Sequence, residues 1–128
     1  MYGEFVTEYV KKGANMLFVI TNDGWWGNTL GYKQHLYYSG LRAIETRRSI
    51  ARSASTGISC FIDQRGEFMK QTEYGKKAAI KAQINANSKM TYYAEHGNFI
   101  SRILLFFGIL TLLYTIVKLL MGKKLLKP

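Results

Sequence analysis

With 128 residues, 48% of them apolar and 14% aromatic, the chain is long enough for one modest domain and too hydrophobic to be disordered. A single Pro and a single Cys exclude a disulfide scaffold built within the chain. Eighteen basic against eight acidic residues give a net charge of +10, so nucleic acid and anionic lipid are the partner classes to weigh.

From Tyr2 to Lys12, residues Phe5, Val6, Tyr9 and Val10 recur at helical spacing, and Gly13 is a natural stop. Met16 to Ile20, "MLFVI", is a continuous apolar run that predicts a strand buried on both faces. Helix, glycine and buried strand together read as the second half of an α/β unit. The glycine-rich stretch Asn22 to Lys33 follows as a loop, and it holds both tryptophans of the chain, Trp25 and Trp26. Gln34 to about Ile50 predicts a second helix, with Tyr37, Leu41 and Ile44 on one face and Arg42, Glu45, Arg47 and Arg48 at polar positions. Gly57 to Asp63 alternates as a strand and turns through "DQRG" into Glu67 to Gln71, the pattern of a hairpin. Lys77 to Ile84 alternates as a further strand. Asn85 to Asn98 is polar and aromatic, suiting a segment near a membrane interface with Tyr92 and Tyr93 among headgroups.

Ile103 to Met121 is a run of 19 residues whose only charge is Lys118. About 20 apolar residues at roughly 1.5 Å each span a bilayer core. Lys118 lies near one end, where its stem can snorkel, and Lys123, Lys124 and Lys127 follow. So short a chain has too little protein to surround a helix that is apolar on every side, which makes a membrane span the expected reading. The lysines place the C-terminus in the cytoplasm and the preceding domain on the outer side. Yet "MYGEFVTEYVKKG" has no apolar stretch that could export it. The expectation is therefore a C-terminal piece of a larger membrane protein.

Few residues are natural candidates for chemistry. Cys60 sits mid-strand between isoleucines, a setting for an inert buried thiol and not for an activated thiolate. His35 and His96 are far apart without ligand-spaced neighbours, so no metal is expected. His35 either reaches back to the Trp loop or occupies a surface position in the first turn. Arg42, Glu45, Arg47, Arg48 and Arg52 read as a solvated helix face with an Arg42–Glu45 pair; the functional alternative has arginines reaching phospholipid phosphate. The basic residues are scattered along the chain and not interleaved with aromatics on one face, which argues against nucleic acid. "NDGWWGNTLGYK" has no P-loop frame, but it follows the C-terminal end of a buried strand, where α/β proteins place ligands.

Several motifs in one order now resemble a known family. Asn22, Asp23, Gly24, Trp25, Trp26 and Gly27 match an Asn-Asp-x-Trp-aromatic-Gly pattern, and Gln34 and His35 match a Gln-His pair. Arg42, Ala43, Glu45 and Arg47 match Arg-Ala-x-Glu with a further Arg; Arg52, Thr56 and Gly57 match Arg-x-x-x-Thr-Gly; Asp63 to Gly66 matches Asp-x-x-Gly. The chain resembles the C-terminal half of the nitrilase-like domain of apolipoprotein N-acyltransferases. The resemblance implies an α/β fold: half of an α-β-β-α sandwich over residues 1–98, a transmembrane helix over 99–122 and a basic cytoplasmic tail over 123–128. It also implies an enzyme of the bacterial inner membrane whose domain faces the periplasm and which needs no cofactor. Such an enzyme moves an acyl chain from a phosphatidylethanolamine-type phospholipid, through a cysteine thioester, to the amine of a diacylglyceryl apolipoprotein.

The Cys-Tyr-Glu motif of the nucleophile, and the Glu and Lys that accompany it, find no match and are expected upstream of Met1, so the 128 residues alone are expected to be inactive. The substrate-site residues implied are Asn22, Asp23, Trp25, Trp26, Gly27, Gln34 and His35, supported by Arg42, Glu45 and Arg47. Trp25 is expected to pack at the wall of the acyl cleft and Trp26 to face lipid or the mouth. The competing readings are a membrane-anchored amidase of the same fold and a non-catalytic module binding lipid or a partner.

Overall fold

The computed structural model describes residues 3–124, the side chains of 122–124 excepted. The chain divides into two compact units, Met1–Gly97 and Asn98–Pro128.

In the first unit, α1 (Gly3–Lys11) leads to β1 (Met16–Thr21), a 3-10 turn (Gly24–Trp26) and α2 (Leu30–Thr46). Then come β2 (Ser49–Ala54), β3 (Cys60–Ile62), β4 (Phe68–Met69) and the single turn α3 (Tyr92–His96). Gly13, at φ 98°, ends α1 as its position predicts, and its amide donates to the Val10 carbonyl. The sheet order is β1-β2-β3-β4, with β1 and β2 parallel across the α2 crossover and the remaining pairs antiparallel. Register places Leu17, Ile50, Ile62 and Phe68 in one row and Val19, Arg52 and Cys60 in the next. These rows share one face. That face packs against Leu36 and Ala43 of α2 and forms the core. The turn of the β3–β4 hairpin is built by Asp63, whose carboxylate accepts from the Arg65 and Glu67 amides, and by Gly66 at φ 87°.

Three expectations fail. β1 is not buried on both faces: Phe18 is 73% and Ile20 88% exposed, because among the described residues of the first unit no helix packs on that side of the sheet. The second helix stops at Thr46, and residues 49–54 form a strand. Arg47 closes the helix in the left-handed conformation (φ 52°, ψ 40°), a stop that no Gly announces. Lys77 to Ile84 is not a strand; its contacts are made by side chains, Lys70 Nζ donating to the Lys81 carbonyl while Ala78, Ala79 and Ile80 line a cleft of about 400 Å³ with Phe18, Ile20 and Phe61. Alternation without a neighbouring strand to complete a ladder leaves the segment irregular.

The second unit is α4 (Phe99–Lys124), opened by Asn98, whose side chain accepts from the Ser101 amide. Phe99–Met121 is long and apolar enough to cross a membrane, and none of that stretch is buried by protein. Thr111 and Thr115 donate their hydroxyls to carbonyls one turn back, so these two polar groups are satisfied within the helix. Residues 125–128 of the basic tail lie outside the described residues.

Candidate functional site

The Trp loop is built upward from a buried carboxylate. Asp23 lies two residues beyond the end of β1 and is fully buried. Its Oδ1 accepts from His35 Nδ1 at 2.8 Å and from the Thr21 hydroxyl at 3.2 Å. Its Oδ2 accepts from Arg52 Nη2 at 2.7 Å. Arg52, from the middle of β2, also donates to the Ser39 hydroxyl (2.8 Å) and to the Ile58 carbonyl (3.3 Å). Burial pushes the Asp23 carboxyl up, but the hydrogen bonds from His35 and Arg52 outweigh it and hold the group below the ordinary aspartate range. Gly57 stands against this carboxylate, and a Cβ there would meet Asp23 Oδ2 at 2.6 Å.

Above Asp23 the chain turns sharply. The exposed Asn22 accepts from the Gly24 amide with its side chain, the Trp26 amide donates to the Asp23 carbonyl, and the Gly27 amide donates to the Gly24 carbonyl. Gly27 adopts φ 54°, a region that suits glycine. Thr29 then caps α2, accepting from the Gly31 amide and donating its hydroxyl to the Trp26 carbonyl.

Of the two tryptophans, Trp26 is the one packed on the domain and Trp25 the one that stands out. Trp26 packs inward, its ring centroid 5.1 Å from that of His35 and lying so close over Gly31 that a Cβ there would be 2.6 Å from the indole. Trp25 is 86% exposed, against 42% for Trp26. The cause is the 3-10 turn: adjacent residues in an extended strand would point to opposite sides, whereas in this turn only Trp26 lies over α2. Gln34 is exposed beside them on α2.

Arg42 and Glu45 lie further along α2, with Arg47 just past its end, and the first two are not a solvated face. Arg42 Nη1 lies 3.0 Å from Glu45 Oε2, with both side chains largely buried and the angle too poor for a hydrogen bond. Arg42 Nε has no partner. Burial therefore raises the Glu45 carboxyl above its ordinary range, only partly offset by Arg42. Tyr93 turns toward this pair, with its hydroxyl against Gly3 and Arg42. Arg47 donates to the Gln64 carbonyl and is exposed.

Two further buried arginines were hidden in the sequence. Arg48 donates to the carbonyls of Ala14, Thr46 and Lys89, tying three segments together, and burial lowers its pKa. Arg52 was legible only as part of a motif; nothing in its spacing placed it beneath Asp23. Cys60 is fully buried in the core, and its thiol is pushed up to about 11 by burial, so it is inert at neutral pH.

This arrangement offers a rigid polar floor and an exposed aromatic rim, suited to placing an apolar group. It contains no activated nucleophile among the described residues. The carbon–nitrogen hydrolase family model matches residues 1–92. The chain is 34% identical over 88% of its length to an apolipoprotein N-acyltransferase of Chlorobaculum tepidum, covering 21% of that protein. It is 38% identical over 80% of its length to apolipoprotein N-acyltransferase 2 of Leptospira interrogans, and 32% identical over 75% to the enzyme of Pasteurella multocida, covering 18% of each. It thus spans about a fifth of the length of these curated relatives. By the match over residues 1–92, the chain belongs to the carbon–nitrogen hydrolase family.

Proposed function

We propose that these residues are the C-terminal part of a membrane N-acyltransferase that completes lipoprotein maturation. The acyl chain passes from a phosphatidylethanolamine-type phospholipid to a cysteine thioester, and from there to the amine of a diacylglyceryl apolipoprotein. The nucleophile, with its Glu and Lys, belongs to sequence outside these 128 residues, and the chain by itself is inactive. Residues 1–98 complete the catalytic domain on the periplasmic side of the inner membrane. Residues 99–122 span the bilayer, and residues 123–128 face the cytoplasm.

The observation that carries this reading is Trp25. A large ring held 86% exposed on a loop that hydrogen bonds pin on both sides of it costs solvation with no gain in packing, which fits a ring that meets acyl chain or lipid. In this reading Asn22 and Gly27 shape the turn, and Asp23 and His35 anchor it. Trp26 and Gln34 wall the site, while Arg42, Glu45 and Arg47 stiffen the helix behind.

The test uses the polypeptide that carries the Cys-Tyr-Glu motif together with this chain. Incubated with radiolabelled phosphatidylethanolamine, it should accumulate a hydroxylamine-labile acyl adduct that a diacylglyceryl-cysteine peptide discharges. The 128-residue chain should form none. Release of ammonia from a small amide without any lipid adduct would instead make the protein an amidase.

A further inference from the structure

His35 lies outside the Cys-Glu-Lys set of the proposed reaction, yet three independent contacts converge on it. Nδ1 is 2.8 Å from Asp23 Oδ1 and 3.3 Å from Arg52 Nη2. An ionised carboxylate can only accept, so in the 2.8 Å bond to Asp23 Nδ1 carries the hydrogen; Arg52 Nη2, itself a donor, then lies beside Nδ1 without bonding to it, and both donors are aimed at the same carboxylate. In the neutral ring Nε2 then bears the lone pair, and no described residue donates to it. The ring itself is 23% exposed in its side chain and supports Trp26 from one side, with Gly31 beneath the indole.

Asp23 cannot move in response, because Arg52, Thr21 and Gly57 close on it from β2, β1 and the loop before β3. A fixed carboxylate fixes the imidazole, and the imidazole fixes the indole. From these contacts we infer that His35 is a positioning residue: it transmits the buried Asp23–Arg52 pair to Trp26, so that the turn presents Trp25 outward in a single orientation. The role requires the Nδ1 hydrogen and the aromatic ring together, which few other residues combine. The positioning itself stands on geometry; only its value to acyl transfer rests on the function proposed above.

The experiment labels the full chain, with its apolar helix in detergent micelles, using 5-fluorotryptophan. Its two fluorine resonances are assigned by Trp26→Phe. His35→Asn keeps a donor near Nδ1 and removes the ring, whereas His35→Phe keeps a ring and removes the donor. Loss of the Trp26 resonance position in either variant is the expected result. An unchanged position in both overturns the inference. A second measurement needs no variant: nitrogen NMR of labelled histidine at alkaline pH reads the tautomer, with His35 assigned by His35→Asn. Hydrogen on Nδ1 is expected, and hydrogen on Nε2 overturns the inference.

In the polypeptide bearing the nucleophile, displacement of the Trp loop should lower kcat/KM by about 10- to 100-fold for His35→Phe, the scale of a misplaced contact. If the NMR outcomes hold and activity does not fall, positioning stands and the acyl-transfer reading fails.

Discussion

Two buried ion pairs sit within this small domain, and they behave in opposite ways. Asp23 and Arg52 meet at 2.7 Å with almost every polar atom engaged, and the carboxyl is held below its ordinary range. Arg42 and Glu45 meet at 3.0 Å with poor angles and an orphaned Nε, and the carboxyl is raised. Burial is common to both, so it does not decide the sign. What decides it is whether hydrogen bonds replace the lost water. The first pair lies under the Trp loop and supports it. The second lies between α2, Tyr93 and the start of α1, at some cost to the fold.

Breaking the first pair should have the largest effect. Asp23→Asn leaves Arg52 charged and uncompensated, and about 3–5 kcal/mol should be lost in denaturant unfolding. Glu45→Gln removes a carboxylate that burial already disfavours, and should cost about 1 kcal/mol or less. Equal losses would erase the distinction between the pairs.

The pH dependence sharpens it. Asp23, depressed in the fold, contributes stability that is present above its unfolded pKa and lost as pH falls through its lower folded value. Glu45, raised in the fold, contributes stability that is present below its unfolded pKa and lost as pH rises through its higher folded value. Unfolding titrations should therefore show Asp23→Asn flattening the acid limb and Glu45→Gln flattening the decline on the rising side. The same limb flattened by both variants would refute the opposite signs.

Smaller effects separate the loop from its support. Trp26→Ala, which strips the indole from His35 and Gly31, should cost about 1–2 kcal/mol of stability, measured by thermal melting. At the core end of the same sheet, the Cys60 thiol should resist maleimide at neutral pH until the protein unfolds. Rapid labelling of the folded chain would mean that the thiol is neither buried nor held protonated.

The fold could be read where hydrophobic period and turn chemistry agreed, as in α1 with Gly13, the β1 run, the Asp63–Gly66 hairpin and the apolar α4. It could not be read at β2, where "SIARSA" places Arg52 mid-strand facing the core and a non-glycine residue, Arg47, ends the preceding helix. A buried arginine is invisible to patterning, because its partner Asp23 lies 29 positions away and only the register of β1 and β2 brings the two together. For the same reason the loop motif was legible as a motif but not as a geometry. Nothing local states that the chain turns as a 3-10 helix and so leaves Trp25 outward while Trp26 packs on α2. Lys77 to Ile84 shows the converse, since a good alternating pattern remains irregular without a neighbouring strand.

The most direct test of the account is Trp25→Ala in the polypeptide that carries the nucleophile, with acyl transfer and melting temperature measured on one preparation. An exposed ring that serves substrate predicts a fall in transfer of about tenfold or more, with stability changed by no more than about 0.5 kcal/mol. Unchanged transfer, or a loss of activity matched by an equal loss of stability, would contradict it and leave the Trp loop a structural feature of the fold.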